Sequence, residues 1–100
     1  MTSETKPECA SVISAMGPTY LWFQLYELEK IAVSFRLSPE RAADAVRKMA
    51  EGTVKTMSWS HLTPEEVMDL VPVRPLGDDE AAIKELYWKR LPALFQNLKG

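Results

Sequence analysis

One hundred residues set the size of one domain, and a chain that is 46% hydrophobic and 26% charged has the composition of a folded globular protein rather than a disordered one. A net charge of -2, with the bases scattered among acids, excludes the clustered Lys/Arg surface that tracks nucleic-acid phosphates. No apolar run approaches the ~18–20 residues needed to cross a bilayer, and the polar start Met1–Glu8 has no apolar stretch of the kind a secretory leader carries.

Residues 1–12 read as a lead or linker stub, with the domain proper over 13–100. Cys9, the single cysteine, lies in this lead and allows no internal disulfide, which fits a cytoplasmic location. Ser14-Ala15-Met16-Gly17-Pro18-Thr19-Tyr20 then punctuates the chain. Gly17 permits a sharp turn, and Pro18 suits a first helical turn that does not use its missing N–H.

The first helix is expected over about Pro18–Phe35. Its apolar residues do not keep to one stripe: Trp22 and Tyr26 share one face, while Leu21, Leu25, Leu28 and Ala32 share another. A helix that is apolar most of the way round is buried most of the way round. A domain this small has few elements with which to surround it, and a second copy of the chain would do so.

The second helix is expected from an N-cap at Ser38, with Pro39 first and Glu40 in the positive first turn, to about Met57. Ala42, Val46, Met49, Ala50, Thr53, Val54 and Met57 recur at three and four residues and form one stripe, and its alanines and Gly52 allow a neighbouring helix to come close. Thr63-Pro64-Glu65-Glu66 predicts a capping box opening a short third helix, stopped by Pro72 and Pro75, with Val67, Leu70 and Val71 facing inward. Asp78, Asp79 and Glu80 open a fourth helix with the stripe Ile83, Leu86, Tyr87, Leu91, Leu94, Phe95 and Leu98; Pro92 within it is expected to kink it near Trp88. No strand and no repeat is expected.

The chemistry-bearing residues are sparse. One histidine, His61, and one cysteine far from it in sequence do not make a metal site, which needs three or four ligands. His61 reads as an exposed loop residue, and Cys9 lacks a partnered base. The trio Asp78–Glu80 reads as partners of a helix dipole rather than as acid catalysts. The aromatics Tyr20, Trp22, Phe23 and Tyr26 read as core or interface before they read as a stacking platform. With no glycine-rich phosphate-binding turn, the chain alone binds no dinucleotide.

Several of these motifs, in order, resemble the C-terminal dimerisation domain of the pyrroline-5-carboxylate reductases. Ser14–Tyr20 is similar to that family's Ser-Gly-Ser-Gly-Pro-Ala-Tyr opening. Arg36-Leu37-Ser38-Pro39 is similar to its inter-helix turn, Gly52–Met57 to its Gly-Ala-Ala-Lys-Met segment, and Thr63–Val71 to the approach to its substrate loop. The resemblance spans about residues 10–76. It implies an all-α fold of about four helices that dimerises by interleaving, as in the C-terminal domains of 6-phosphogluconate dehydrogenase-like reductases. It implies a homodimer with Leu21, Trp22, Leu25, Tyr26, Leu28, Val46, Met49 and Val54 at the interface.

The resemblance also implies a parent NAD(P)-dependent oxidoreductase of proline biosynthesis, whose cofactor sits on a Rossmann domain that this chain does not contain. The domain would then build the dimer and supply one wall of the active site, with Ser14, Gly17 and Arg74 toward the substrate. The stretch matching the family's substrate loop, Pro72–Asp78, has no serine or threonine, and Arg74 is the residue there suited to hold a carboxylate. Two rival readings are a stand-alone helical interaction module without catalytic activity and a sensor whose pocket is lined by Trp22, Tyr26, Trp59 and Trp88.

Overall fold

The computed structural model describes residues 10–99. Among these the chain is all-α, with four α-helices and no strand: α1 (Gly17–Ser34), α2 (Pro39–Trp59), α3 (Pro64–Met68) and α4 (Glu80–Lys99). A π-helical turn, Ser11–Ala15, precedes α1, and a 3-10 turn, Gly77–Asp79, precedes α4. Two compact units result. One holds the described residues up to Tyr20 and those from Arg74 onward; the other is Leu21–Val73.

In the Leu21–Val73 unit the helix boundaries follow local chemistry. α1 ends in a Schellman motif, with the Arg36 N–H donating to the Val33 carbonyl at 2.9 Å and the Leu37 N–H to the Ala32 carbonyl at 3.3 Å. The left-handed position, usually glycine, is Arg36, with φ 77°. A side chain there costs about 1 kcal/mol. Ser38 then caps α2, its hydroxyl accepting from the Arg41 N–H at 3.2 Å, with Pro39 first and Glu40 in the first turn. α2 runs two residues past the expected Met57, to Trp59, and after its cap Ser60 comes another non-glycine left-handed residue, His61, with φ 61°. Histidine is among the side chains that tolerate this region best.

The capping box at α3 is complete. The Thr63 hydroxyl accepts from the Glu66 N–H at 3.2 Å, and the Glu66 carboxylate accepts from the Thr63 N–H at 2.9 Å. Two donors at the helix start are thereby satisfied by side chains of their own turn. Replacing Thr63 with alanine is expected to cost about 1 kcal/mol, read as a lower thermal midpoint and faster hydrogen exchange at the Glu66 amide. α3 stops at Met68, before Pro72 and Pro75 are reached. Of its expected inward set only Val67 is half-buried; Leu70 and Val71 are exposed. One chain offers them no cover.

In the other unit the π-helical turn packs on α4. The chain is already helical from Ala10, inside the expected lead, and Val12 is buried at 4% exposure. The Tyr20 hydroxyl donates to the Val12 carbonyl, and its ring meets Tyr87 of α4 edge-on, with centroids 6.2 Å apart. Tyr20 thus ties the opening motif to the last helix. The expected sharp turn at Gly17 is absent: Gly17 is the first residue of α1, no described glycine has positive φ, and a Cβ there would meet open space. Met16, with ordinary right-handed dihedrals, carries the π-helical turn directly into α1. α4 is continuous across Pro92.

Candidate functional site

The most telling property of the chain is how little of its apolar surface it covers. Among the described residues only Val12, Ala42 and Val46 are buried, and no buried residue is polar. α1 has no buried residue at all. Single exposed leucines mean little, but contiguous large apolar side chains mark an interaction surface.

Within the Leu21–Val73 unit that surface is organised. Trp22, Leu25, Tyr26 and Glu29 of α1 face Ala43, Val46, Arg47, Ala50 and Glu51 of α2 across a groove of about 230 Å³. Each set follows the three-and-four spacing of one helix face. The alanines keep the α2 wall low. The aromatics form the opposite wall and remain largely uncovered, Trp22 at 57% and Tyr26 at 62% exposure. Of the residues expected at an interface, Leu21, Leu28, Met49 and Val54 are likewise exposed and Leu25 is half-buried. Val46 differs. At 8% exposure it is covered by its own chain and forms the groove floor rather than free surface. Gly52 meets no neighbour within 4 Å, so no close helix approach occurs there within one chain.

The charges flanking this groove are solvated. Asp44 accepts from Lys48 at 3.1 Å and Arg47 at 3.3 Å. The Lys48 hydrogen bond, and then its charge, hold the Asp44 carboxyl below the ordinary aspartate range. Because the folded value is depressed, this contribution is present at neutral pH and is lost as pH falls through the lowered value. Both bonds lie at the surface and are weakened by salt.

The three residues expected to face a substrate lie in the other unit. Ser14 is exposed on the π-helical turn, and Gly17 begins α1. Arg74 is engaged within the chain: one guanidinium nitrogen, Nη2, donates to both Glu80 carboxylate oxygens, at 2.6 and 2.7 Å. The Gly77 N–H donates to the Arg74 carbonyl at 2.9 Å, closing the turn beneath this pair. Trp22 and Tyr26 line the α1–α2 groove, whereas Trp88 lines a different one on α4 and Trp59 is exposed. Among the described residues no three or more His, Cys, Asp or Glu side chains are grouped to hold a metal ion, and no helix is long and apolar enough to cross a membrane. Cys9 lies outside the described residues. His61 is exposed, and its distinguishing feature is its backbone conformation.

Sequence reasoning missed the groove on α4. It is lined by Val12 and Ile13 of the π-helical turn and by Tyr87, Trp88, Leu91, Pro92 and Phe95, and measures about 470 Å³. Part of its signal was visible in the spacing of Tyr87, Leu91 and Phe95. The opposing wall was not, because Val12 was read as lead.

These features define a class: a small all-helical domain that leaves most of its large apolar side chains uncovered within one chain. The family described as pyrroline-5-carboxylate reductase dimerisation matches residues 4–98, and the chain belongs to that family. No curated protein and no solved structure gives a match.

Proposed function

We propose that this chain forms a homodimer, interleaved through α1 and α2, and is the dimerisation domain of a pyrroline-5-carboxylate reductase-like oxidoreductase that uses NAD(P). The observation that carries the reading is α1, which has no fully buried residue, in a domain of a dimerisation family. Obligate dimers commonly bury upward of ~2,000 Å² in interfaces that resemble a core cut in two.

The described residues include no strand leading through a glycine-rich turn into a helix, so they do not fit a dinucleotide. In this reading a separate domain holds the nicotinamide cofactor, which supplies hydride chemistry when bound. The present chain contributes one wall of the active site through Ser14, Gly17 and Arg74. The pairing of Arg74 with Glu80 has a direct bearing on that role. A guanidinium that holds one carboxylate is built to hold another, and a substrate carboxylate would compete with Glu80 for it. The proline-rich loop around Arg74 favours a small carboxylated substrate held mainly by charge.

Light scattering on the size-exclusion eluate across a dilution series tests the reading. The expected result is a mass near twice 11.3 kDa that persists into the low micromolar range. A well-folded monomer throughout that range would overturn it, and would favour a stand-alone module that uses the same faces for another protein.

A further inference from the structure

We propose that Glu80 is a built-in competitor for the Arg74 guanidinium: it fills the carboxylate seat until the carboxylate of a ligand displaces it, and so sets how tightly that seat binds. This rests on the carboxylate-holding role proposed above for Arg74 and adds a second residue that controls it.

The geometry of the pair carries the inference. A guanidinium can fork a carboxylate along two flat edges, the Nη1–Nη2 end and the Nε–Nη2 side, and Nη2 belongs to both. The Glu80 carboxylate straddles that shared nitrogen, with its two oxygens at 2.6 and 2.7 Å. While Glu80 is in place, neither edge offers a second carboxylate a full fork. A staple placed on Nη1 alone would have left the side edge open. The two side chains are 40% and 31% exposed, so a small ligand reaches them from solvent.

The backbone makes the exchange feasible. The Gly77 N–H donates to the Arg74 carbonyl and the Asp79 N–H to the Leu76 carbonyl, both at 2.9 Å. These bonds hold the turn between Arg74 and Glu80 without help from the ion pair, and Pro75 fixes its own φ within it. Arg74 therefore keeps its place when Glu80 lets go. The released carboxylate also has a berth. Glu80 is the first residue of α4, where the helix dipole favours an acid, and the 3-10 turn before it has no side-chain cap. Because the competitor is tethered only six residues away, its effective concentration at Arg74 is on the order of millimolar or more. A ligand must exceed that or add contacts of its own.

The test titrates the full chain with cyclopentanecarboxylate at constant ionic strength, following the Arg74 Nε–H and Gly77 amide signals by NMR. The matching carboxamide is the uncharged control. Wild type is compared with Glu80→Gln, Glu80→Ala and Arg74→Gln, with circular dichroism to follow the fold. The expected result is half-saturation at a carboxylate concentration at least about tenfold lower in both Glu80 variants than in wild type. The carboxamide is expected to shift neither signal, and Arg74→Gln to lose the Gly77 response. Folded Glu80 variants that bind no tighter than wild type, in a protein whose response still needs Arg74, would overturn the inference and leave Arg74 as the seat; Glu80 would then be only a staple between the turn and α4. No response at Arg74 in wild type or in either Glu80 variant would overturn the proposed role of Arg74 as well.

Discussion

Replacing Trp22 and Tyr26 together with glutamate is expected to turn the dimer into a monomer and to abolish cooperative unfolding. The two side chains lie one helical turn apart on the α1 wall of the groove, and each is more than half exposed in one chain. Buried aromatic anchors contribute about 2 kcal/mol or more each, or about 30-fold each in dissociation constant. The pair therefore weakens association roughly a thousandfold even before the cost of facing two carboxylates against an apolar partner. Loss of cooperativity follows from what remains. Isolated helices of this length are marginal in water, and three buried residues do not hold them. Mass by light scattering and the width of the thermal transition read the two effects separately. Lys30→Glu is the control, since Lys30 pairs with Glu27 only loosely, at 3.6 Å and in full solvent. A double variant that keeps the dimer mass at micromolar concentration would remove α1 from the interface.

Ala42→Asp is the second change with a large expected effect, and it acts inside one chain. Ala42 has no exposed surface, and no polar group is buried beside it among the described residues. A carboxyl placed there meets desolvation without a partner. Such sites raise an acid's pKa by ~3–5 units, and at about 1.4 kcal/mol per unit, over the roughly three units between the free value and neutral pH, the penalty at pH 7 is about 4 kcal/mol. That is comparable with the whole stability of a small domain, ~5–15 kcal/mol. The sign gives the test. With its folded pKa raised, the native state binds more protons than the unfolded state between about pH 3.9 and the raised value. Stability therefore falls as pH rises through that window, opposite to the behaviour of Asp44. Denaturant midpoints measured from pH 4 to 8 should fall for Ala42→Asp and stay level for Ala42→Asn. A level profile for the aspartate would mean that water or a cation reaches the site.

What was legible in the sequence was mostly local chemistry. Ser38-Pro39-Glu40 and Thr63-Pro64-Glu65-Glu66 placed two helix starts to the residue, because a cap is a contest settled within four positions. Asp78–Glu80 located the start of α4 by the acids a helix N-terminus favours, without a side-chain cap. The ends of α1 and α2 were less legible. The chain reverses at Arg36 and His61, and neither is the glycine that marks a left-handed cap. The π-helical turn at Ser11–Ala15 has no side-chain cap to announce it, so Val12 did not read as a buried residue.

Burial was the least legible property. The apolar spacing of α1 marked residues that need cover, and one chain leaves most of them exposed; in the dimer proposed above, that pattern records the burial of the assembly. The same reason leaves Leu70 and Val71 exposed and Gly52 without a neighbour. For the substrate wall, Arg74 was found by its chemistry, but its engagement by Glu80, six residues on across a turn, is visible only in three dimensions.

The thin interior of a single chain also shapes how the protein is made. Val12, Ala42 and Val46, the buried apolar residues among those described, cannot drive collapse on their own, and the helices of one chain are marginal without further cover. In the homodimer proposed above, the step that fixes the native state is an encounter between two chains, and refolding is expected to be second-order, faster as protomers are more concentrated. A melting temperature for this protein has meaning only with a protomer concentration beside it.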